Sequence, residues 1–186
     1  MNEVLKAIFD RRSIRSYSEV QLTEEELNTL IDVALASPTA RNCQAWHFSV
    51  VQNQALLDEI HADLTKIMEA RNPQGRRGRF DEAGFQVFYR APTVFFISIA
   101  EEGNRFAEID AGIAAENLAI AAQGMGLGSV ILGLPKDVFM SEREGYFNEK
   151  LGIPAGYHFA IAVSIGHPTM TKEAHPIGPD KVNIVR

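Results

Sequence analysis

The sequence predicts an α+β domain rather than a doubly wound parallel sheet. Helix and strand candidates are interleaved at uneven spacing, without the regular strand-helix alternation of parallel α/β folds. A length of 186 residues suits one domain with a sizeable core, and 46% hydrophobic with 23% charged residues lies in the globular range. We therefore expect a single domain over residues 1–186.

Charge and cysteine content limit the function classes. The net charge of -6 argues against general binding to nucleic acid or to a membrane surface, so any anion site must be local. Cys43 is the sole cysteine of the sequence, which excludes an intramolecular disulfide and a thiol-based metal framework. Residues 1–6 lack the start of a signal peptide, and no apolar stretch approaches the roughly 20 residues that span a bilayer. We expect a cytoplasmic protein without membrane or nucleic-acid partners.

A basic segment follows the first predicted helix. Residues 2–10 carry a helical apolar face. The segment directly after them contains Arg11, Arg12, Ser13 and Arg15. A guanidinium offers planar, bidentate donors that match phosphate oxygens, so the arginines and the serine hydroxyl can together hold a phosphomonoester. The alternative is a solvated basic patch, the ordinary role of a charge run. A nucleotide-type cofactor is the leading hypothesis.

The second helix and the loop after it have clear boundaries. Thr23 and Glu26 form a capping-box signature, and apolar residues then recur at helical spacing until a Ser-Pro pair stops them. The polar loop at 38–44 separates this helix from a strand predicted at 46–51, which is rich in aromatic and β-branched residues. The loop is a candidate binding element, although its proline and asparagine suit a plain turn equally well.

The rest of the chain supplies the remaining elements. A helix is predicted at 54–71, after which 72–79 breaks all periodicity with glycine, proline and three arginines. The run at 93–100 is continuously apolar, which predicts a buried strand at the centre of the sheet. An Ala-rich helix is predicted at 109–123. Further strand candidates are 127–132, 159–165 and 182–185.

Several motifs indicate no chemistry of their own. Residues 124–128 resemble a dinucleotide loop in composition, but they follow a helix and precede a strand, which predicts a helix C-cap and turn instead. The five histidines lack zinc-site spacing, and Cys43 has no recognisable base beside it. Since neither a nucleophile with its base nor a metal cluster nor an acid pair is evident, any chemistry is expected to belong to a bound cofactor.

Four motifs in order resemble those of the FMN-dependent nitroreductase family. The first is RRSIRSY and the second SPTARNCQAWHF, with matching spacing between them. The third is IDAGIAAENL followed by GLGS, and the fourth is GHP after the last core strand. Each is short and degenerate, but together they extend the resemblance over nearly the whole chain.

The resemblance implies a fold, a cofactor and a reaction. The fold would be a sandwich in which a mixed, mostly antiparallel sheet is flanked by helices. Two chains would form an intertwined homodimer with FMN sites at the interface, and the tail at about 167–186 would extend to the partner subunit. The implied activity is ping-pong hydride transfer from NAD(P)H through flavin N5 to a nitroaromatic, quinone or similar acceptor.

The resemblance also implies which residues bind FMN. The segment contacting the phosphate, the ribityl chain and the N1/O2 edge would be Arg11, Arg12, Ser13 and Arg15, of which Arg15 best matches the cation near N1. The loop laid against the flavin by the partner subunit would be Pro38, Thr39, Ala40, Asn42 and Gln44. The backbone along the flavin, with an amide at N5, would be Ile131, Leu132 and Gly133, which are otherwise a plain strand end.

Two departures from the family pattern affect the expected site. The basic pair that closes on the phosphate is replaced by Lys172 and His175, which are weak substitutes. The polar loop that reaches the flavin pyrimidine in larger members is replaced by residues 84–88, so we expect a different substrate pocket.

Two alternative hypotheses remain at this point. One is specialised flavin chemistry on the same fold, such as flavin fragmentation or reductive dehalogenation, which lid residues would decide. The lid candidates Arg76, Arg77 and Arg79 would contact the phosphate of NADPH or an anionic acceptor, or would simply be solvated. The other hypothesis is a non-catalytic flavin-binding protein.

Overall fold

The computed structural model describes residues 1–186, apart from the side chain of Pro179. Its helices are α1 (Glu3–Asp10), α2 (Glu24–Leu35), α3 (Gln54–Arg71), α4 (Ala107–Gly124) and α5 (Glu144–Leu151). Its strands are β1 (Trp46–Val51), β2 (Thr93–Ala100), β3 (Gly128–Leu132) and β4 (Tyr157–Gly166). Short 3-10 segments lie at Ala40–Asn42, Gly78–Asp81, Leu134–Met140 and Pro179–Lys181.

The four strands form one antiparallel sheet in the order β1-β2-β4-β3. Strand β2 lies in the interior of this order, as its continuous apolar run predicts, and its first seven residues are buried. A single isolated parallel bridge between Ser13 and Ser129 extends the pairing beyond β3. The α+β prediction is therefore confirmed.

Helices cover both faces of the sheet, so the sheet carries two separate cores. On one face Phe96 of β2 packs with Leu64 of α3 and Phe147 of α5. On the other face Phe95 of β2 packs with Leu118 of α4 and residues of α2. Successive side chains of a strand point to opposite faces, and both faces of β2 are covered, which explains why its sequence does not alternate.

Local signals set the ends of the helices. The hydroxyl of Thr23 accepts from the backbone N–H of Glu26, while the Glu26 carboxylate accepts from the backbone N–H of Thr23, which confirms the capping box of α2. The hydrogen bond from the Thr23 backbone N–H holds the pKa of Glu26 below its ordinary value. Helix α4 ends at a turn in which Gly126 adopts a φ of 75°, as the composition of residues 124–128 predicts.

Two parts of the secondary structure differ from the sequence-based expectation. The predicted strand at 182–185 is wrong, because these residues are exposed and unpaired with any strand in the described part of the chain. A β-branched run becomes a strand only where a neighbour supplies ladder hydrogen bonds. Helix α5 and the Leu134–Met140 segment were not predicted, since both are short. No helix in the described residues combines the length and apolar character needed to cross a membrane.

Candidate functional site

The basic segment is fixed to the outer edge of the sheet. The backbone N–H of Ile14 donates to the carbonyl of Ser129 in β3 over 2.8 Å. The Tyr17 hydroxyl donates to the carbonyl of Ile14 over 2.7 Å, and burial raises the pKa of this phenol far above its ordinary value. A Cβ on Gly128 would lie 2.9 Å from Ile14 Cγ2, so only glycine allows the segment to approach β3 this closely.

The chain that follows β4 runs beside the same segment. The Ser16 and Thr169 hydroxyls lie 2.6 Å apart, and the backbone N–H of Ser18 donates to the carbonyl of His167 over 2.9 Å. This pairing brings residues 172–177 back toward the arginines, although more than 150 positions separate Ser16 from Thr169 in sequence.

A cleft of about 340 Å³, the basic cleft, lies between the end of α1 and this returning chain. Its lining includes five of the residues that the sequence assigns to a phosphate site, namely Arg11, Arg12, Ser13, Lys172 and His175. Glu173 is the one carboxylate among the lining side chains, against three permanent cations. The cleft therefore attracts anions in a chain whose net charge is -6.

The guanidinium groups of the segment have incomplete hydrogen bonding. Arg11 Nε lies 3.4 Å from the Glu116 carboxylate of α4, and Arg12 Nη1 donates to the carbonyls of Phe9 and Arg11, each over 2.7 Å. The buried Nε atoms of Arg12 and Arg15 have no hydrogen-bond partner. An unsatisfied buried donor costs about 1–3 kcal/mol, so these two atoms suit an external acceptor such as a phosphate or flavin oxygen. The residues present thus fit a bound flavin nucleotide.

Arg15 and the end of β3 stand apart from the basic cleft. Arg15 lines the neighbouring cleft described below, on the same extended segment. Ile131 and Leu132 are the last residues of β3, and Gly133 precedes the 3-10 segment Leu134–Met140. Residues 11–15 therefore contribute to both clefts and pair with the edge strand β3.

The loop at 38–44 has an unusual backbone. Positive φ values of 56°, 53° and 48° occur at Arg41, Asn42 and Gln44. Residues other than glycine adopt this left-handed region at a cost in free energy. The loop is held in place by two contacts: Gln44 N–H donates to Thr39 Oγ1 over 2.9 Å, and Ala40 N–H donates to both carboxylate oxygens of Asp110 over 3.1 and 3.2 Å. Such strain persists at functional sites when the surroundings fix it.

The loop does not meet the basic cleft of its own chain. None of its described residues line that cleft, and Asp110, which holds the loop, lies in the first turn of α4, whereas Glu116, which pairs with Arg11, lies nearly two turns further along. Asp110 is 4% exposed and gives no local sequence signal of its partner. The sequence therefore identifies the loop but not the residue that fixes it.

A second cleft of about 320 Å³, the Tyr89 cleft, has Arg15 in its lining. Its lining adds residues that sequence reasoning did not single out, notably Tyr89 and Arg90. Of the three lid arginines, Arg79 lines this cleft and Arg76 does not, while Arg77 is bound to Asp81 and Glu69. Of the three lid candidates, Arg79 is therefore the one whose position fits a contact with a substrate in this cleft.

A reactive cysteine and a metal site were the other candidate centres that the sequence raised. Cys43 is exposed on the strained loop. Among the described side chains, no group of three or more His, Cys, Asp or Glu is placed to hold a metal ion.

The chain is similar to known proteins in sequence and in fold. The family model described as "Nitroreductase family" matches residues 8–167. A crystal structure of a nitroreductase with bound FMN from Desulfitobacterium hafniense DCB-2 is 32% identical, with a TM-score of 0.94 and complete coverage of both chains. An FMN-dependent nitroreductase from Clostridium difficile R20291 is 30% identical, with a TM-score of 0.85 and 99% coverage of both chains. An FMN reductase [NAD(P)H] from Bacillus subtilis (strain 168) is 27% identical over 97% of this chain and 72% of its own length. By its fold, its motifs and these matches, the chain belongs to the nitroreductase family.

Proposed function

We propose that the protein is an FMN-dependent NAD(P)H oxidoreductase of nitroreductase type. The observation that carries the proposal is the pair of buried, unpartnered Nε atoms on Arg12 and Arg15, next to clefts with excess positive charge in an acidic chain. A flavin mononucleotide supplies acceptors for both, through its phosphate and its ring oxygens. The relatives from D. hafniense and C. difficile, one with bound FMN and the other FMN-dependent, support the same cofactor.

The basic cleft is the proposed phosphate site. Arg11 and Arg12 donate charged hydrogen bonds to the phosphate oxygens, and the Ser13 hydroxyl completes the set. Lys172 and His175 approach from the returning chain and close the cleft, in place of the basic pair that the family resemblance implies. Glu116 orients Arg11 through the 3.4 Å contact to its Nε.

Arg15 and the end of β3 are the proposed contacts to the flavin ring. The Arg15 guanidinium attracts negative charge at the N1/O2 edge, which favours the reduced form of the ring. The backbone of Ile131, Leu132 and Gly133 would lie along the ring and present an amide to N5. Bound FMN would supply hydride transfer at N5, from NAD(P)H to a nitroaromatic, quinone or similar acceptor in a ping-pong cycle. The protein residues orient the reactants and exclude water.

A second copy of the chain is proposed to complete the site. Pro38, Thr39, Ala40, Asn42 and Gln44 line neither cleft of their own chain, which supports a contact with the flavin of the partner subunit. Helix α1 exposes Val4 at 63% and Phe9 at 51%, and α4 exposes Ile109 at 60%. Apolar patches of this kind mark protein interfaces. The tail at about 167–186, with Val185 95% exposed, would lie across the partner.

An absorbance spectrum of the purified protein, followed by anaerobic addition of NADPH and then NADH, tests the proposal. A flavin spectrum that bleaches and then recovers with nitrofurazone or a quinone is the expected result. FMN that binds without bleaching would favour the specialised or non-catalytic hypothesis, and failure to bind FMN after reconstitution would refute the cofactor assignment.

A further inference from the structure

We propose that the Tyr89 cleft binds the anionic group, a carboxylate or a phosphate monoester, of a substrate that reacts at the flavin. This inference rests on the proposed function, because it assigns a substrate class to the same site. It concerns side chains of the segment 79–90 that bind no part of the cofactor in that proposal.

Positively charged side chains outnumber negatively charged ones in the lining of the Tyr89 cleft. Three guanidinium groups, from Arg15, Arg79 and Arg90, face a single carboxylate, that of Glu82. Arg79 Nε lies 3.6 Å from Glu82 Oε2, and both side chains are about half exposed, at 48% and 58%. An exposed ion pair of this kind contributes little, so an incoming anion can displace Glu82.

Tyr89 holds two of these guanidinium groups together. Arg79 Nη1 donates to the Tyr89 hydroxyl over 2.8 Å. The Cζ atoms of Arg79 and Arg15 lie 5.2 and 5.8 Å from the centre of the Tyr89 ring. Cation–π attraction thus holds two of the like charges of the cleft against the Tyr89 ring, and a bound anion would offset their repulsion.

The backbone that presents Tyr89 is strained and well fixed. Tyr89 and Arg90 adopt φ values of 57° and 53°, two consecutive residues in the left-handed region without a glycine. Gln86 is 4% exposed, and its side-chain oxygen accepts from Phe88 N–H over 2.6 Å. The Gln86 carbonyl accepts from Tyr89 N–H over 2.8 Å. Surroundings that impose strain on two adjacent residues are typical of binding sites.

The position and size of the cleft indicate the substrate class. Arg15 lines it and is the proposed contact to the flavin ring, so a ligand in the cleft extends to the flavin. A volume of about 320 Å³ is at the small end of ligand sites. It holds an anionic group with one ring, such as an aromatic acid acceptor, or the ribose phosphate end of NADPH.

Paired probes that differ only in charge test the inference. The FMN-loaded protein is titrated calorimetrically, without reductant, with 4-nitrobenzoate and with its neutral methyl ester. KM values for NADPH and NADH are measured in parallel. The variants are Arg79→Gln and Arg90→Gln, with Arg79→Lys to retain the charge. Arg76→Gln, which removes the same charge from the same loop outside the cleft, is the matched control.

The expected result is a roughly tenfold loss of affinity for the anionic member of one pair, with little change for its neutral or unphosphorylated partner. An effect confined to 4-nitrobenzoate assigns the cleft to an acceptor carboxylate, and one confined to NADPH assigns it to the donor phosphate. Arg79→Lys should retain most of the preference, and Arg76→Gln all of it. Unchanged preferences in Arg79→Gln and Arg90→Gln, with melting temperatures intact, would overturn the inference. Failure of the wild type to be reduced by either nicotinamide counts against the proposed function, while the titrations with 4-nitrobenzoate and its ester still test the inference, because they need no turnover.

Discussion

Asp110 in α4 and Ala40 in the strained loop are joined by a bifurcated hydrogen bond. The backbone N–H of Ala40 donates to both carboxylate oxygens of Asp110, over 3.1 and 3.2 Å. The carboxylate is buried, and it lies in the first turn of a helix, where the helix dipole favours negative charge. One side chain therefore fixes a loop in which three residues have positive φ.

Removal of this carboxylate should release the loop. Asp110→Ala is expected to destabilise the fold by about 2 kcal/mol, because a hydrogen bond between a backbone N–H and a buried charge is lost. If the loop contacts FMN in the partner subunit, the variant should also bind FMN more weakly. Urea unfolding and fluorescence titration with FMN measure the two effects. Glu108→Ala, which removes an exposed charge from the same helical turn, should change neither strongly.

Gly128 should tolerate no side chain. Gly128→Ala places a Cβ 2.9 Å from Ile14 Cγ2, which should push the basic segment away from β3 and cost about 1–3 kcal/mol. FMN retention through gel filtration should fall with it. The double variant Gly128→Ala, Ile14→Ala should lose less than the sum of the single changes, since two of the three close contacts, those to Cγ1 and Cγ2 of Ile14, are removed. Gly145→Ala is the control, because nothing lies within 4 Å of its Cβ position; additive losses in the double variant would contradict the proposed clash.

Arg15 should set the reduction potential of the bound flavin. Arg15→Gln removes a positive charge from the proposed N1/O2 edge and is expected to lower the potential by tens of millivolts, about 30 mV for each 1.4 kcal/mol of lost attraction. Reduction by NAD(P)H should slow accordingly. Dye-equilibrated redox titration measures the change. Lys150→Gln, which removes a positive charge from α5, should leave the potential unaltered.

Protonation of His61 should loosen the segment that forms the Tyr89 cleft. His61 Nδ1 accepts from Val87 N–H over 3.3 Å, and its ring packs against Phe80 and Phe85 at about 6 Å. Burial lowers the pKa of His61, with Asp58 opposing and Arg90 adding to the shift. The folded pKa is below the unfolded value of about 6.5. Between the two pKa values, the unfolded state therefore binds more protons than the folded state. The contribution of His61 to stability is complete above the unfolded pKa and is lost as the pH falls through the lowered pKa of the folded state.

Thermal melts between pH 7.5 and 5 measure this dependence. His61→Asn keeps an acceptor near Val87 N–H but does not titrate, so its melting temperature should fall less over the same interval. Equal slopes for the variant and the wild type would assign the pH dependence to other groups.

Much of the fold follows from local sequence, and the exceptions have physical causes. The predicted bounds of β1, β2 and α3 agree with the structure, because aromatic and β-branched runs and a helical apolar period are local properties. The run at 182–185 has the same local properties but no neighbouring strand within its chain, which explains the wrong prediction. Local pattern also cannot place Ala40 against Asp110, since that contact joins residues 70 positions apart.

The candidate site likewise combines residues that the sequence predicted with residues that it did not. Arg11, Arg12, Ser13, Lys172 and His175 were predicted to share a phosphate site, and the structure places them around one cleft. Tyr89 and Arg90 gave no signal, because a left-handed backbone without glycine is imposed by tertiary contacts rather than by propensity. The roles of all these residues toward FMN stay predictions for the experiments above.

The pairing of Ser16 with Thr169, 153 positions apart, has a consequence for the order of folding. Contacts between distant residues require closure of a long loop, so they form late and after local helices. The basic segment is synthesised well before its partners in β3 and after β4. A nascent chain that ends before residue 129 contains the residues of α1 and the basic segment that line the basic cleft, but it lacks the opposite wall at 172–177. Anion binding by this protein is therefore a property of the finished chain.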